Sequence, residues 1–213
     1  KKTENENTAK KTKTKTTKTI HGIEKQTTKE TADQIQQGIA KEILRFHVLA
    51  NSDSEEDQKL KLEVKDRLVD YMKDILDGAE DVKETKKRIT ENRETICLVA
   101  EQEIQKQGYT YPVSVNLEKC YFPMKTYGDC TFPAGTYEAL RVCIGKAKGR
   151  NWWCVLYPGL CFADSVNVIV PDEKKQELKN ILTEEEYESL FDWRGDDYQI
   201  RSGFLRLWRK LFA

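Results

Sequence analysis

Apolar residues recur every second, or every third to fourth, position along most of the chain, and each change of period marks an element. Ile35, Ile39 and Ile43 are spaced for a short helix over 31–42. The strand expected over 43–50 sets Leu44, Phe46, Val48 and Ala50 on one face and Arg45 and His47 on the other. Asn51-Ser-Asp-Ser is a turn, with Ser54 placed as an N-cap and Glu55, Glu56 and Asp57 following where the helix dipole favours negative charge. Leu60, Val64, Leu68, Met72 and Leu76 carry that helix to about Leu76, where Asp77-Gly78 ends it. Ile89, Ile96, Val99 and Ile104 predict a second helix over 82–106, stopped by Gly108. Tyr111, Val113, Val115 and Leu117 alternate with polar residues as a half-buried strand; Leu140, Val142 and Ile144 predict another. The run 152–157 is continuously apolar, and the glycine-bounded link from Gly145 to Arg150 predicts an antiparallel pair with the preceding strand. A last strand is expected over 166–170, with helices over 173–182 and 184–191.

Strands and helices mixed without a βαβ rhythm predict an α+β fold, a single domain with a mainly antiparallel sheet packed by two to three helices. A chain of 213 residues suits one domain with a tail. The formal charge is zero, but residues 1–29 hold nine lysines and three glutamates, so the remainder is mildly acidic. That balance points away from nucleic acid as the main ligand. The leader is rich in lysine and threonine and nearly devoid of apolar residues, so 1–30 reads as a disordered stalk or, alternatively, a segment drawn to anionic lipid. The domain is expected over 31–200 and a basic amphipathic tail over 201–213. No run approaches the ~20 apolar residues of a membrane span.

Candidate chemistry is sparse. A cysteine hydrolase needs a nucleophile and a base, and the candidates are Cys154 or Cys161 with His47. Neither cysteine adjoins a glycine-rich oxyanion turn, and the bland reading of His47 is a partly buried strand residue or a partner contact. Six cysteines and His47 suffice in number for a metal, but no pair has ligand spacing, so no metal or other cofactor is expected. Trp152 and Trp153 are adjacent; on a strand they point to opposite faces, so each needs its own cover or serves as a partner anchor.

Several words occur in a telling order: Ile43-Leu-Arg-Phe-His-Val-Leu-Ala-Asn-Ser-Asp-Ser, Tyr121-Phe-Pro-Met-Lys-Thr-Tyr-Gly, Pro133-Ala-Gly-Thr-Tyr-Glu-Ala-Leu-Arg-Val and Asn151-Trp-Trp-Cys. Together they closely resemble the stage II sporulation protein R family over roughly residues 40–170. The resemblance implies a non-enzymatic signal made in the forespore of endospore-forming bacteria and exported into the space between the two membranes around it. There it would activate a membrane-embedded aspartic protease of the mother cell (stage II sporulation GA type), which removes the pro-segment of a mother-cell sigma factor. The chain starts at Lys1 without methionine, so a leader ahead of it is expected, and whether it is an export signal or a membrane anchor is left open.

Polarity and position within these words nominate Arg45, His47, Asn51 and Asp53 as partner contacts, with Trp152 or Trp153 as the anchor. Cys154 and Cys161 stand where the family carries cysteine, which implies a bridge across the Tyr157-Pro-Gly turn. Cys120 with Cys130, or Cys143 with Cys154, are pairings the sequence leaves open, and Cys97 is expected to be a buried free thiol. Phe204, Leu207, Trp208 and Leu211 share one side of the C-terminal segment, which either packs on the domain or makes peripheral contact with a membrane. The alternative function is an exported cell-wall hydrolase or wall-binding module using a Cys/His pair.

Overall fold

Leu60, Val64, Leu68 and Met72 form an unbroken buried spine, and that spine faces a sheet whose central strand is buried on both sides. The structure, a computed structural model, describes residues 31–162 and 169–191. Helix α1 runs over 31–42, β1 over Leu44–Leu49, α2 over Glu55–Leu76, α3 over Val82–Glu91 and α4 over Arg93–Lys106. Then come β2 (Val113–Phe122), the short β3 (Lys125–Tyr127) and β4 (Cys130–Phe132), β5 (Gly135–Ile144) and β6 (Asn151–Tyr157). A 3-10 turn at Leu160–Phe162 and helices α5 (Asp172–Ile181) and α6 (Glu184–Phe191) complete the described elements. Residues 36–191 make one compact α+β body. The strand expected over 166–170 falls largely outside the described residues.

The sheet is mixed, in the order β2-β5-β1-β6, with β1 parallel to β5 and antiparallel to β6. The expected β5–β6 hairpin is therefore corrected: β1 lies between the two strands. Crossing one intervening strand requires about 10 Å, twice the inter-strand spacing, and the six residues from Gly145 to Arg150 supply that reach. The link is laced to the end of β1 by Lys148 N–H to Asn51 O at 3.2 Å and Gly149 N–H to Ala50 O at 3.0 Å. β3 and β4 form a separate two-stranded ribbon, bonded to each other and not to the main sheet.

Local chemistry explains the helix ends. Ser54 Oγ accepts from Asp57 N–H at 3.2 Å, and Asp81 Oδ1 accepts from Glu84 N–H at 2.7 Å. Gly78, at φ 67°, supplies the left-handed residue after α2. The single helix expected over 82–106 is two helices, because Asn92 leaves helical geometry at φ −101° and ψ 9°. Its amide donates to Arg88 O at 2.9 Å while Tyr71 Oη–H donates to its Oδ1 at 3.2 Å, so the break is held from both sides. Ile89, Ile96, Ala100 and Ile104 still share one core with α2 and with Phe46, Val48, Leu140 and Val142.

Gly149 has no room for a side chain: a Cβ there would meet the Ser52 carbonyl and the Ala50 methyl. Gly149→Ala is expected to destabilise the domain by about 1–3 kcal/mol, the usual cost of overpacking. Urea unfolding measures it, and an unchanged midpoint would mean that this link is not held against β1.

Candidate functional site

β1 divides its side chains by parity. Leu44, Phe46 and Val48 enter the helix-covered core, whereas Arg45 and His47 point to the opposite face. There Arg45 lies opposite Ala139 and Val155, and His47 opposite Arg141 and Trp153.

Arg45 is completely buried. Its guanidinium carbon lies 4.6 Å from the Phe122 ring centre, 5.2 Å from Phe132, 5.2 Å from Tyr137 and 5.7 Å from Tyr127. Nη2 donates to Tyr127 Oη at 3.1 Å, while Nε and Nη1 have no acceptor. Cation–π attraction offsets part of the desolvation of this charge but supplies no hydrogen-bond acceptor in the guanidinium plane.

His47, 4% exposed, is stacked on Trp153 with ring centres 5.0 Å apart and planes at 19°, and Phe122 packs against both rings, 5.2 Å from His47 and 4.7 Å from Trp153. Its Nε2 is 3.5 Å from Cys120 Sγ, and its Nδ1 is buried without a partner. Burial, reinforced by the Arg141 charge, lowers the His47 pKa to about 4. Burial and the neighbouring Glu118 carboxylate push the Cys120 thiol up to about 11. Cys120 and His47 therefore rest as a neutral thiol beside a neutral imidazole, the reverse of the ion pair that activates a cysteine nucleophile. Arg141 is bound to Glu118 at 2.8 Å and is only partly exposed.

The other nominated residues separate. Asn51 Oδ1 accepts from Lys146 N–H at 3.0 Å, its Nδ2 donates to Asp57 at 2.8 Å, and Asp53 accepts from Arg150 N–H at 2.6 Å. Both side chains tie the turn after β1 to the β5–β6 link. Trp152 and Trp153 do take opposite faces. Trp152 meets Phe46 edge-on at 5.5 Å with Lys65 Nζ over its ring, and Trp153 belongs with His47.

Cys154 sits opposite Phe46, on the helix side of the sheet, so it is not a partner for His47. The six cysteines are free thiols in this structure, and the 154–161 bridge is not formed. Cys161 Sγ–H donates to Val155 O at 3.0 Å, and burial beside the Cys154 thiol raises its pKa. Cys143 and Cys154 are separated by β1 and face opposite ways, which removes the cross-hairpin pairing. Cys97 is half-buried, with its thiol 3.7 Å from Val113 O. Phe204, Leu207, Trp208 and Leu211 lie outside the described residues. Among the described residues no cluster of His, Cys, Asp or Glu is arranged to hold a metal ion.

Cys120 was considered from the sequence as a disulfide partner of Cys130, not as a neighbour of His47. Strand parity was the available signal, since Glu118, Cys120 and Phe122 alternate with Leu117, Lys119 and Tyr121.

Residues 40–167 of this α+β domain match the family model described as Stage II sporulation protein R (spore_II_R), and the chain belongs to that family of sporulation proteins. It is similar to Stage II sporulation protein R of Bacillus subtilis (strain 168), with 33% identity over 174 residues, covering 79% of this chain and 76% of that protein. No solved structure matches it.

Because the folded pKa of His47 lies below the unfolded value of about 6.5, the unfolded chain binds the extra proton between those values. Stability must then fall as pH drops from about 6.5 towards about 4 and level off below, by roughly 3 kcal/mol from this residue alone. Denaturant unfolding of wild type and His47→Phe at about pH 7 and about pH 4.5 isolates the effect. Wild type is expected to show the greater acid loss; parallel losses would refute the burial-depressed imidazole.

Proposed function

We propose that this protein is an exported sporulation signal that activates a membrane-embedded aspartic protease of the mother cell, which then processes a mother-cell pro-sigma factor. Membership of the stage II sporulation protein R family across residues 40–167 carries the reading, because that span contains the whole face built on Arg45, His47, Cys120 and Trp153. The neutral Cys120–His47 pair supports a ligand over a hydrolase, since the imidazole already has a low proton affinity and Nδ1 has no orienting carboxylate. The space between the forespore and mother-cell membranes is the proposed place of action. Among the described residues no helix is long and apolar enough to cross a membrane, which suits contact with an extracytoplasmic surface of the protease.

The mechanism is population shift. The ligand binds the active arrangement of the protease more tightly than the inactive one; equal affinity would shift nothing. Half-buried Trp153, with Glu118 and Arg141 beside His47, offers an aromatic anchor with a charged rim, the composition expected of an interface centre.

Co-expression of the exported chain, its species' aspartic protease and the unprocessed sigma factor in a non-sporulating host tests this directly. Pro-segment removal is expected only when the chain is present, and it should persist in folded Cys120→Ser, Cys154→Ser and Cys161→Ser variants. Trp153→Ala is expected to raise the amount of ligand needed by at least about tenfold. Cleavage without the chain, or none with all three proteins folded and correctly placed, would refute the reading.

A further inference from the structure

The buried side-chain nitrogens left without a hydrogen-bond partner among the described residues are Arg45 Nε, Arg45 Nη1 and His47 Nδ1. They belong to two residues on one face of one strand, and Phe122 packs against both. Buried donors are nearly always satisfied, so a cluster of orphans calls for an acceptor from elsewhere. We propose that the Arg45–His47 face is a covered receptor for one carboxylate, and that the β3–β4 ribbon is its cover.

Three features set the class of ligand. A guanidinium offers a planar fork that fits a carboxylate in two parallel hydrogen bonds. The walls are aromatic and His47 is neutral at physiological pH, so the pocket holds a single positive charge, and a monoanion balances it. A dianion would leave an uncompensated buried charge, which is costly. In the tautomer whose Nε2 accepts from the Cys120 thiol, the ring proton of His47 sits on Nδ1 and is a further donor.

The cover is built to separate from the sheet. β3 and β4 have no backbone ladder to β2-β5-β1-β6. The polar link from the ribbon to Arg45 is the Tyr127 hydroxyl, which occupies Nη2 as an acceptor. Asp129, in the turn of the ribbon two residues after Tyr127, holds that end to Val170 N–H at 2.9 Å and Lys175 Nζ at 2.6 Å. Release of that end and lifting of the ribbon from the sheet would carry Tyr127 away from the guanidinium and give the fork to the ligand. Tyr121 and Met124, both well exposed, flank the corner where β2 passes into the ribbon. An incoming chain thus meets apolar side chains beside the site.

The site does not depend on the proposed signalling role and is tested on the isolated full-length protein by thermal unfolding and tryptophan fluorescence, with Trp153 as the reporter. Sodium acetate, the peptide N-acetyl-Gly-Asp-Gly-amide and its Asn analogue are titrated at fixed ionic strength, with sodium chloride as control. Acetate and the Asp peptide are expected to raise the melting temperature and change the fluorescence, while the Asn peptide and chloride do neither. An Asp peptide binding at least about tenfold more tightly than acetate assigns the carboxylate to a polypeptide partner, and equal affinity assigns it to a small organic acid. Tyr127→Phe, lacking the latch, is expected to bind several-fold more tightly than wild type. Arg45→Met is expected to melt no lower than wild type without ligand, because it removes an incompletely paired buried charge, and to lose the response to both carboxylates. Absence of a response in both wild type and Tyr127→Phe, an Arg45→Met protein that is less stable, or one that still responds, would each overturn the proposal.

Discussion

The central position of β1 is the constraint on which the rest depends. A strand with a neighbour on each side and cover on both faces has no solvent-facing row of residues. Leu44, Phe46 and Val48 satisfy this by joining the helix core. Arg45 and His47 occupy the same strand but carry polar groups, so their face is covered by aromatic rings that exclude water, with the Tyr127 hydroxyl as an acceptor for Arg45. The sheet therefore has one face of ordinary packing and another that holds chemistry in reserve.

Much of the remaining architecture serves that strand. Asn51 and Asp53, just beyond its end, fasten the connection that passes from β5 to β6. The crossing link fixes β6, and β6 presents Trp153 to His47 and Trp152 to Phe46. On the same side, β2 delivers Cys120 and Phe122 by simple alternation, and the chain then doubles back as the ribbon. Polar residues near β1 divide accordingly into those that hold backbone and those enclosed beneath aromatic cover.

Features determined by near neighbours were legible in the residues. The spine from Leu60 to Leu76, the parity of β1 and the opposite faces of Trp152 and Trp153 follow from helical or strand period, and the Ser54 cap from residue type beside an acidic first turn. Pairing between distant segments was not. Nothing local distinguishes a Gly145–Arg150 link that turns back from one that passes over an intervening strand, so the β5–β6 hairpin was expected and β1 was found there. The three-residue strands of the ribbon are too short to show a period. Asn92 interrupts an otherwise continuous apolar pattern through its side chain, which periodicity does not weigh. Arg45 and His47 were nominated for polarity, but their burial depends on Phe122, Tyr127 and Phe132, all far along the chain.

The order of strands also governs when the domain becomes a domain. β1 is synthesised first but needs partners at Ala139 and Val155, roughly a hundred residues downstream. A chain emerging from its N-terminus at the ribosome can coil α2 as it appears but cannot close the sheet until Tyr157 is free. Such non-local pairing delays native structure until nearly the whole domain has emerged.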